Sequence, residues 1–130
     1  MLSRRALPAF LASFALLGAL TGAVAAEKAF SQQAFAAAQG AGKPIVVHVY
    51  APWCPTCRAQ EPILHKLEAD PKFSGAEAFR VDFDGQKEAV RALKASAQST
   101  IIVFKGGKEV GRSVGETNPK AISDLLDKAL

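Results

Sequence analysis

Apolar residues recur along this chain at two spacings, one typical of strands and one typical of helices. Residues 45–50 form a largely apolar run, which predicts a central strand covered by helices on both faces. Further strands are predicted at residues 78–83, 101–105 and 108–114, and Gly106-Gly107 is typical of a two-residue hairpin turn between the last two. The hydrophobic pattern therefore predicts four strands.

Four other segments have helical spacing, and most carry a start or stop signal. The second contains Pro62, where a kink is expected, and the third is predicted to span residues 86–97. The signals are Ser31 before the first helix and Gly40 and Gly42 after it, Pro55 and Asp70-Pro71 around the second, and Asn118-Pro119 before the last.

The elements follow one another in the order α-β-α-β-α-β-β-α. Strand-helix-strand units need parallel neighbours and right-handed crossovers, while the hairpin adds antiparallel strands at one side. An α/β fold is therefore predicted, with a mixed sheet of about four strands sandwiched by helices.

Residues 1–26 have the pattern of an export signal, because Arg4 and Arg5 precede an uncharged stretch that ends in small residues. We expect this segment to direct the protein to the periplasm or out of the cell, with residues 27–130 forming one domain. The stretch is also long enough to cross a bilayer, so an uncleaved anchor stays an alternative. Residues 3–5 half-resemble a twin-arginine signal, and the export route stays open.

The formal net charge of +4 includes Arg4 and Arg5, so the rest of the chain carries only a small positive charge. A charge of this size supports solubility and does not indicate a nucleic-acid partner. The chain also has no internal repeat and no basic stripe with interleaved aromatic residues. We therefore expect no binding to nucleic acid.

The two cysteines, Cys54 and Cys57, lie where the apolar run gives way to a predicted helix. Unpaired backbone N–H groups and the positive end of the helix dipole favour a thiolate at that place, which predicts a nucleophile at Cys54. Cys57 lies one turn further into the helix, where it can attack the mixed disulfide that Cys54 forms.

Cysteine pairs also serve as structural disulfides and as zinc ligands. A bridge between Cys54 and Cys57 would close a very short ring and remove little chain entropy. A structural zinc ion needs four ligands, and only His48 and His65 are available to complete a set. A redox pair is the favoured interpretation, and no metal site is predicted.

Several motifs occur together within residues 30–130. They are Trp53-Cys54-Pro55-Thr56-Cys57, Pro62, Asp82-Phe83-Asp84 at a strand end, and Phe104-Lys105-Gly106-Gly107-Lys108 followed by Gly115. In this combination the chain resembles the thioredoxin superfamily. The resemblance implies a thioredoxin-like α/β fold, although we expect the extra N-terminal strand of cytosolic thioredoxins to be missing.

The resemblance also implies a thiol-disulfide oxidoreductase that acts on protein disulfides, needs no cofactor and works as a monomer. Cys54 would be the exposed attacking thiolate and Cys57 the shielded resolving thiol. Trp53 would pack beside the pair, and the alternative is an aromatic side chain that only covers surface. The substrate is expected to lie against Trp53, Pro55, Thr56, Ser99 and Thr100.

Two positions depart from the family pattern. Thioredoxins have a buried acid six residues before the first cysteine, and this chain has His48 there. One hypothesis is that its neutral imidazole accepts the proton of Cys57; the alternative is a buried histidine bonded within the sheet. The family's cis-proline aligns with Ser99, and because a cis bond there would cost about 3 kcal/mol, Gln98-Ser99 is predicted to be trans. The backbone of Ser99 and Thr100 is expected to pair with an extended substrate.

The direction of electron flow is inferred from the residues around the cysteines. Residues 50–54 are similar to disulfide isomerase domains, whereas residues 53–58 are similar to the reducing thioredoxins of cytochrome c maturation. Oxidising relatives commonly have histidine where this chain has Thr56, so we favour a reductant that an upstream membrane dithiol donor regenerates. Two alternatives stay open: a redox-regulated interaction domain without turnover, and a protein that binds copper or an iron-sulfur cluster through Cys54, Cys57 and Ser99 or Thr100.

Overall fold

The computed structural model describes residues 27–130, so the export signal predicted at residues 1–26 lies outside the described part of the chain. A five-stranded mixed sheet in the order β1-β3-β2-β4-β5 forms its centre. Strands β1, β2 and β3 are parallel to one another. Strand β4 is antiparallel to β2, and β5 is antiparallel to β4. The strands are β1 (Lys28–Ala29), β2 (Pro44–Tyr50), β3 (Glu77–Asp82), β4 (Thr100–Lys105) and β5 (Lys108–Val114).

The predicted helix starts are confirmed, because the capping side chains make their bonds. Ser31 accepts from the backbone N–H of Ala34, and Asn118 accepts from that of Ala121. Pro62 lies inside the second helix, as predicted. The helices are α1 (Gln32–Gly40), α2 (Pro55–Glu68), α3 (Lys87–Ala92) and α4 (Pro119–Asp127), and a short 3₁₀ turn spans Pro71–Phe73.

The sheet has one strand more than predicted, since a short N-terminal strand is present after all. In β1, Lys28 is paired with Phe79 of β3, and the backbone N–H of Phe30 donates to the carbonyl of Arg80. A strand of two residues is too short to show an alternating pattern. Only its partner in β3 makes it a strand.

The third helix ends at Ala92, five residues before the predicted end at residue 97. Lys94 adopts a positive φ of 54°, which reverses the chain. The guanidinium of Arg112 in β5 then donates to the carbonyls of Leu93 and Lys94, at 2.9 and 3.0 Å. This distant side chain satisfies carbonyls that further helical turns would otherwise have bonded.

The sheet is covered on both faces, which confirms that β2 is a buried central strand. On one face Val47 and Val49 pack with residues of α1 and α3, and on the other Val46 packs with α2 and α4. Within residues 27–130, no helix is both long and apolar enough to span a membrane. The carboxyl end of β2 leads directly into the turn before α2, which places both cysteines at this edge of the sheet.

Candidate active site

Cys54 is the N-cap residue of α2, and Cys57 lies in the first turn of the same helix. The chain leaves β2 at Tyr50, and Pro55 then begins the helix because its missing N–H is not needed there. The Cys54 Sγ accepts a hydrogen bond from the backbone N–H of Cys57 at 3.2 Å. Both cysteines are free thiols in this structure.

The pKa values of the two thiols are shifted in opposite directions. Burial alone would raise the pKa of Cys54. Hydrogen bonding by the Cys57 thiol and backbone outweighs burial and holds that pKa below its ordinary value. The Gln98 side chain and the Thr56 backbone contribute in the same direction. Burial, and then the neighbouring Cys54 sulfur, raise the pKa of Cys57 to about 11. Cys54 is therefore the better thiolate and Cys57 the thiol that keeps its proton.

The expectation of an exposed Cys54 needs correction, since only 2% of this residue is accessible, against 0% of Cys57. Its side chain packs with Ala51 and Cys57, with Tyr50 and Phe83 alongside. The exposed surface at the cysteines comes instead from Pro55 and from Trp53, which is 57% accessible. Thr56 is half-buried.

Trp53 is held in place rather than loosely covering the surface. Its indole N–H donates to a carboxylate oxygen of Asp84 at 2.7 Å, and Asp84 lies just after β3. An exposed aromatic ring that is tied down next to a nucleophile presents a rigid apolar contact surface to a partner.

The loop that precedes β4 has a trans Gln98-Ser99 bond, as predicted, because none of the described residues has a cis peptide bond. Ser99 takes a positive φ of 57°. Its N–H donates to the carbonyl of Val49 at 2.8 Å, and its own carbonyl accepts from the N–H of Gly115 and from the side chain of Gln60. The backbone of Ser99 is fully bonded within the chain.

Ser99 and Thr100 therefore do not offer the backbone groups that were expected to pair with a substrate. Thr100 is 1% accessible and lies in β4, between β2 and β5, with its hydroxyl donating to the carbonyl of Ala97. The neighbouring residue Gln98 is half-buried, and its backbone N–H has no intramolecular partner among residues 27–130. The free backbone group lies one residue earlier than the sequence suggested.

His48 is fully buried and is bonded to Gln60 of α2. Its Nε2 lies 3.0 Å from the amide oxygen of Gln60. The amide nitrogen of Gln60 donates to two carbonyls, those of Ser99 at 3.0 Å and Glu116 at 2.9 Å. This orients the amide, so its oxygen is the acceptor and His48 Nε2 carries the proton.

The other ring nitrogen of His48 faces a carboxylate. Nδ1 lies 3.4 Å from Oε1 of Glu27, whose Oε2 is 2.8 Å from the guanidinium of Arg80. Burial would raise the pKa of Glu27, but His48 and Arg80 outweigh it and lower that pKa. Glu27 is therefore ionised, and neither its Oε1 nor His48 Nδ1 has a hydrogen-bond partner among residues 27–130.

The predicted transfer of a proton from Cys57 directly to His48 does not match this arrangement, because both ring nitrogens are directed at other partners. The Cys57 thiol lies 4.0 Å from the carbonyl of Val49. The catalytic contribution of His48 stays a prediction. Its burial and the bond from Nε2 to Gln60 agree with the alternative of a buried histidine bonded within the fold, while Nδ1 has no hydrogen-bond partner among residues 27–130.

Sequence reasoning missed Gln60 and Glu27. A signal for Gln60 was present, since it lies between Cys57 and Leu64 on the buried side of α2, where an apolar residue is the rule. Glu27 carried no such signal, because it directly follows the predicted export segment and its partners are distant in the chain.

Binding of copper or an iron-sulfur cluster by the cysteines is the alternative to a redox pair. Within residues 27–130, no group of three or more histidine, cysteine, aspartate or glutamate side chains is arranged to hold a metal ion. Ser99 and Thr100, the proposed additional ligands, use their hydroxyls to donate to the carbonyls of Gln98 and Ala97.

Comparison with known proteins agrees with this site. The thioredoxin family model matches residues 23–128. The chain is 33% identical to Thioredoxin Asp f 29 of Aspergillus fumigatus, over 68% of this chain and 78% of that protein, and 34% identical to Thioredoxin-2 of Saccharomyces cerevisiae, over 65% and 78%.

A solved structure is also similar. The crystal structure of Trxlp from Edwardsiella tarda EIB202 superposes with a TM-score of 0.76 at 46% identity, covering 78% of this chain and 98% of that one. The family match, these relatives and the reduced cysteine pair at the start of α2 agree, and the chain belongs to the thioredoxin family of protein thiol-disulfide oxidoreductases.

Proposed function

We propose that this protein is an exported reductant of protein disulfides. The observation that carries the proposal is the free Cys54/Cys57 pair at the start of α2, in which the pKa of Cys54 is lowered and that of Cys57 is raised to about 11. Such a pair combines one thiol that ionises more readily than usual with one that keeps its proton, which suits the reduction of a disulfide.

The reaction proceeds in two exchanges. The Cys54 thiolate attacks one sulfur of the substrate disulfide, a mixed disulfide forms, and the other substrate sulfur leaves as a thiolate. Cys57 then gives up its proton to that thiolate and attacks the Cys54 sulfur, which breaks the mixed disulfide and releases the second substrate sulfur as a thiolate. The substrate disulfide gains two electrons, and Cys54 and Cys57 become the disulfide.

The substrate surface is proposed to include Trp53, Pro55, Thr56 and Gln98. The first three surround Cys54 with accessible or half-accessible surface. Gln98 replaces Ser99 and Thr100 in this surface, since its backbone N–H is unbonded within residues 27–130 and its side chain is among the groups that lower the pKa of Cys54. A substrate strand would accept a backbone hydrogen bond from Gln98 next to the nucleophile.

The reductant role is tested by the reduction potential of the Cys54/Cys57 pair, measured by equilibration in defined thiol buffers. We expect a value near that of thioredoxin, about −270 mV, and a value near the strong periplasmic oxidant, about −120 mV, would reverse the proposed direction. Turnover of a protein disulfide such as that of insulin separates an enzyme from an interaction domain that does not turn over.

The proposal includes export of the protein and its regeneration by a redox partner. The arginine pair and apolar stretch of residues 1–26 support delivery to the periplasm or outside the cell, where a membrane dithiol donor would regenerate a monomeric protein. Expression with and without residues 1–26, followed by cell fractionation, tests delivery. Recovery of the full-length chain in the cytoplasmic fraction would contradict it, and sedimentation of the purified protein tests the monomer.

A further inference from the structure

We propose that Gln60 is a positioning residue for thiol-disulfide exchange, because its buried amide holds the loop of residues 96–99 against the two cysteines. The inference rests on the proposed function and concerns the same site. Gln60 does not touch the reacting sulfurs in this arrangement. It acts through the backbone of Ser99.

The first support is the number of separate segments that the amide joins. Gln60 is 0% accessible and bonds to His48 of β2, to the carbonyl of Ser99 before β4, and to the carbonyl of Glu116 after β5. Because Gln60 lies in α2 one turn after Cys57, the bonds tie the helix that carries both cysteines to the loop opposite them. A buried amide with three good partners specifies one arrangement of the segments it joins.

The second support is the conformation of Ser99. Its positive φ of 57° is unfavourable for a residue with a side chain, and such a conformation persists only where the surroundings hold it. The bonds from Gln60 and Gly115 to the Ser99 carbonyl, and from the Ser99 N–H to Val49, supply that hold. Without proline at this position, side-chain hydrogen bonding takes over the task of shaping the loop.

The third support is what the loop does at the sulfurs. The side chain of Gln98 is among the groups that lower the pKa of Cys54. The N–H of Ser99 donates to the Val49 carbonyl, the same oxygen that lies 4.0 Å from the Cys57 thiol. Gln98 and Ser99 both belong to the segment that Gln60 holds. A loop that relaxed away from α2 would withdraw them, and the Cys54 thiolate would lose part of its stabilisation.

His48 and Glu27 complete the arrangement from the far side of Gln60. The bond from His48 Nε2 fixes the amide oxygen, and the carboxylate of Glu27 faces His48 Nδ1 while Arg80 holds its other oxygen. In this view His48 orients Gln60, and it has no need to contact Cys57. His48, at the position where thioredoxins have a buried acid, therefore acts on the loop of residues 96–99 through Gln60.

The test compares Gln60→Met with the wild-type chain in the reduced state. Methionine has a similar length and volume but neither donor, so the two carbonyls lose their bonds. The rate of Cys54 alkylation by iodoacetamide is measured from pH 5 to pH 10, with mass spectrometry to identify the modified cysteine. We expect the midpoint to rise by about one pH unit and the rate at pH 6 to fall about tenfold, as loss of charge-assisted hydrogen bonds predicts.

Leu64→Ala is the matched control, because Leu64 is equally buried in α2 and belongs to the apolar core. It should lower the melting temperature and leave the midpoint unchanged. If Gln60→Met behaved like Leu64→Ala, Gln60 would be only a packing residue and the proposal would be overturned. Gln60→Glu provides a second variant of the same shape, which keeps an acceptor for His48 but cannot donate when ionised, and it should raise the midpoint as well.

Alkylation needs no protein substrate, so the result does not depend on the direction of electron flow. A wild-type chain that failed to reduce insulin would contradict the proposed function. An unchanged midpoint in Gln60→Met would contradict the positioning role alone.

Discussion

Glu68, the last residue of α2, is expected to make the protein less stable as the pH rises. It is buried, its Oε1 has no hydrogen-bond partner among residues 27–130, and it lies beside a small cavity lined by apolar side chains. Burial, and then repulsion from Glu27, raise the pKa of Glu68 from 4.5 to about 8, although Arg80 opposes this. The folded protein therefore keeps a proton on Glu68 at neutral pH.

The sign follows from where each state loses that proton. The unfolded chain releases it near pH 4.5 and the folded chain near pH 8, so the free energy of unfolding falls between these values and the loss is complete above the second. Since one pH unit corresponds to about 1.4 kcal/mol, the loss amounts to about 4 to 5 kcal/mol. This is a large part of the stability of about 5 to 15 kcal/mol that domains commonly have.

Glu68→Gln removes the ionisable group and keeps its shape. Urea unfolding of the reduced protein is measured at pH 5, 7 and 8.5. The free energy of unfolding of the variant should rise relative to that of the wild type, by about 4 kcal/mol between pH 5 and pH 8.5. Glu88→Gln, on the exposed surface of α3, serves as the control and should follow the wild type. A difference between Glu68→Gln and the wild type that stayed constant with pH would refute the reasoning.

Three further predictions concern the site and the core. Cys57→Ser should trap the mixed disulfide between Cys54 and a protein substrate, seen by mass spectrometry as an adduct that a second thiol releases. Trp53→Ala should raise KM for a protein disulfide, while the rate of Cys54 alkylation by iodoacetamide stays unchanged. A fall in the alkylation rate would contradict a role in substrate contact. Gly111→Ala would place a Cβ 2.8 Å from the Leu125 side chain, and we expect it to lose about 1 to 3 kcal/mol in urea unfolding, with unchanged stability as the contrary result.

The elements and the cysteine pair were predictable because their signals are local. The apolar run before Tyr50, the cap at Ser31 and the spacing of Cys54 and Cys57 each depend on neighbours within one or two turns. Pro55 after Cys54 marks the helix start that favours a thiolate. These short-range preferences do not depend on distant contacts. The fold class and the nucleophilic cysteine could therefore be predicted from the sequence alone.

The early end of α3 and the strand β1 were not predictable, since each depends on a distant partner. Arg112 in β5 completes the end of α3, and β3 pairs with two residues that have no strand pattern of their own. Helix and strand ends in general follow such tertiary contacts more than local preference.

The sequence by itself determined the α/β fold, the place of the cysteine pair and the loss of the proline at Ser99, because these are properties of residue type and spacing. Only the tertiary structure decided that Cys54 is almost covered, that the Ser99 backbone is bonded internally, and that His48 faces Gln60 and Glu27. Hydrogen bonds and burial of this kind join residues far apart in the chain, and a buried polar group is satisfied by whatever partner the packed fold brings to it.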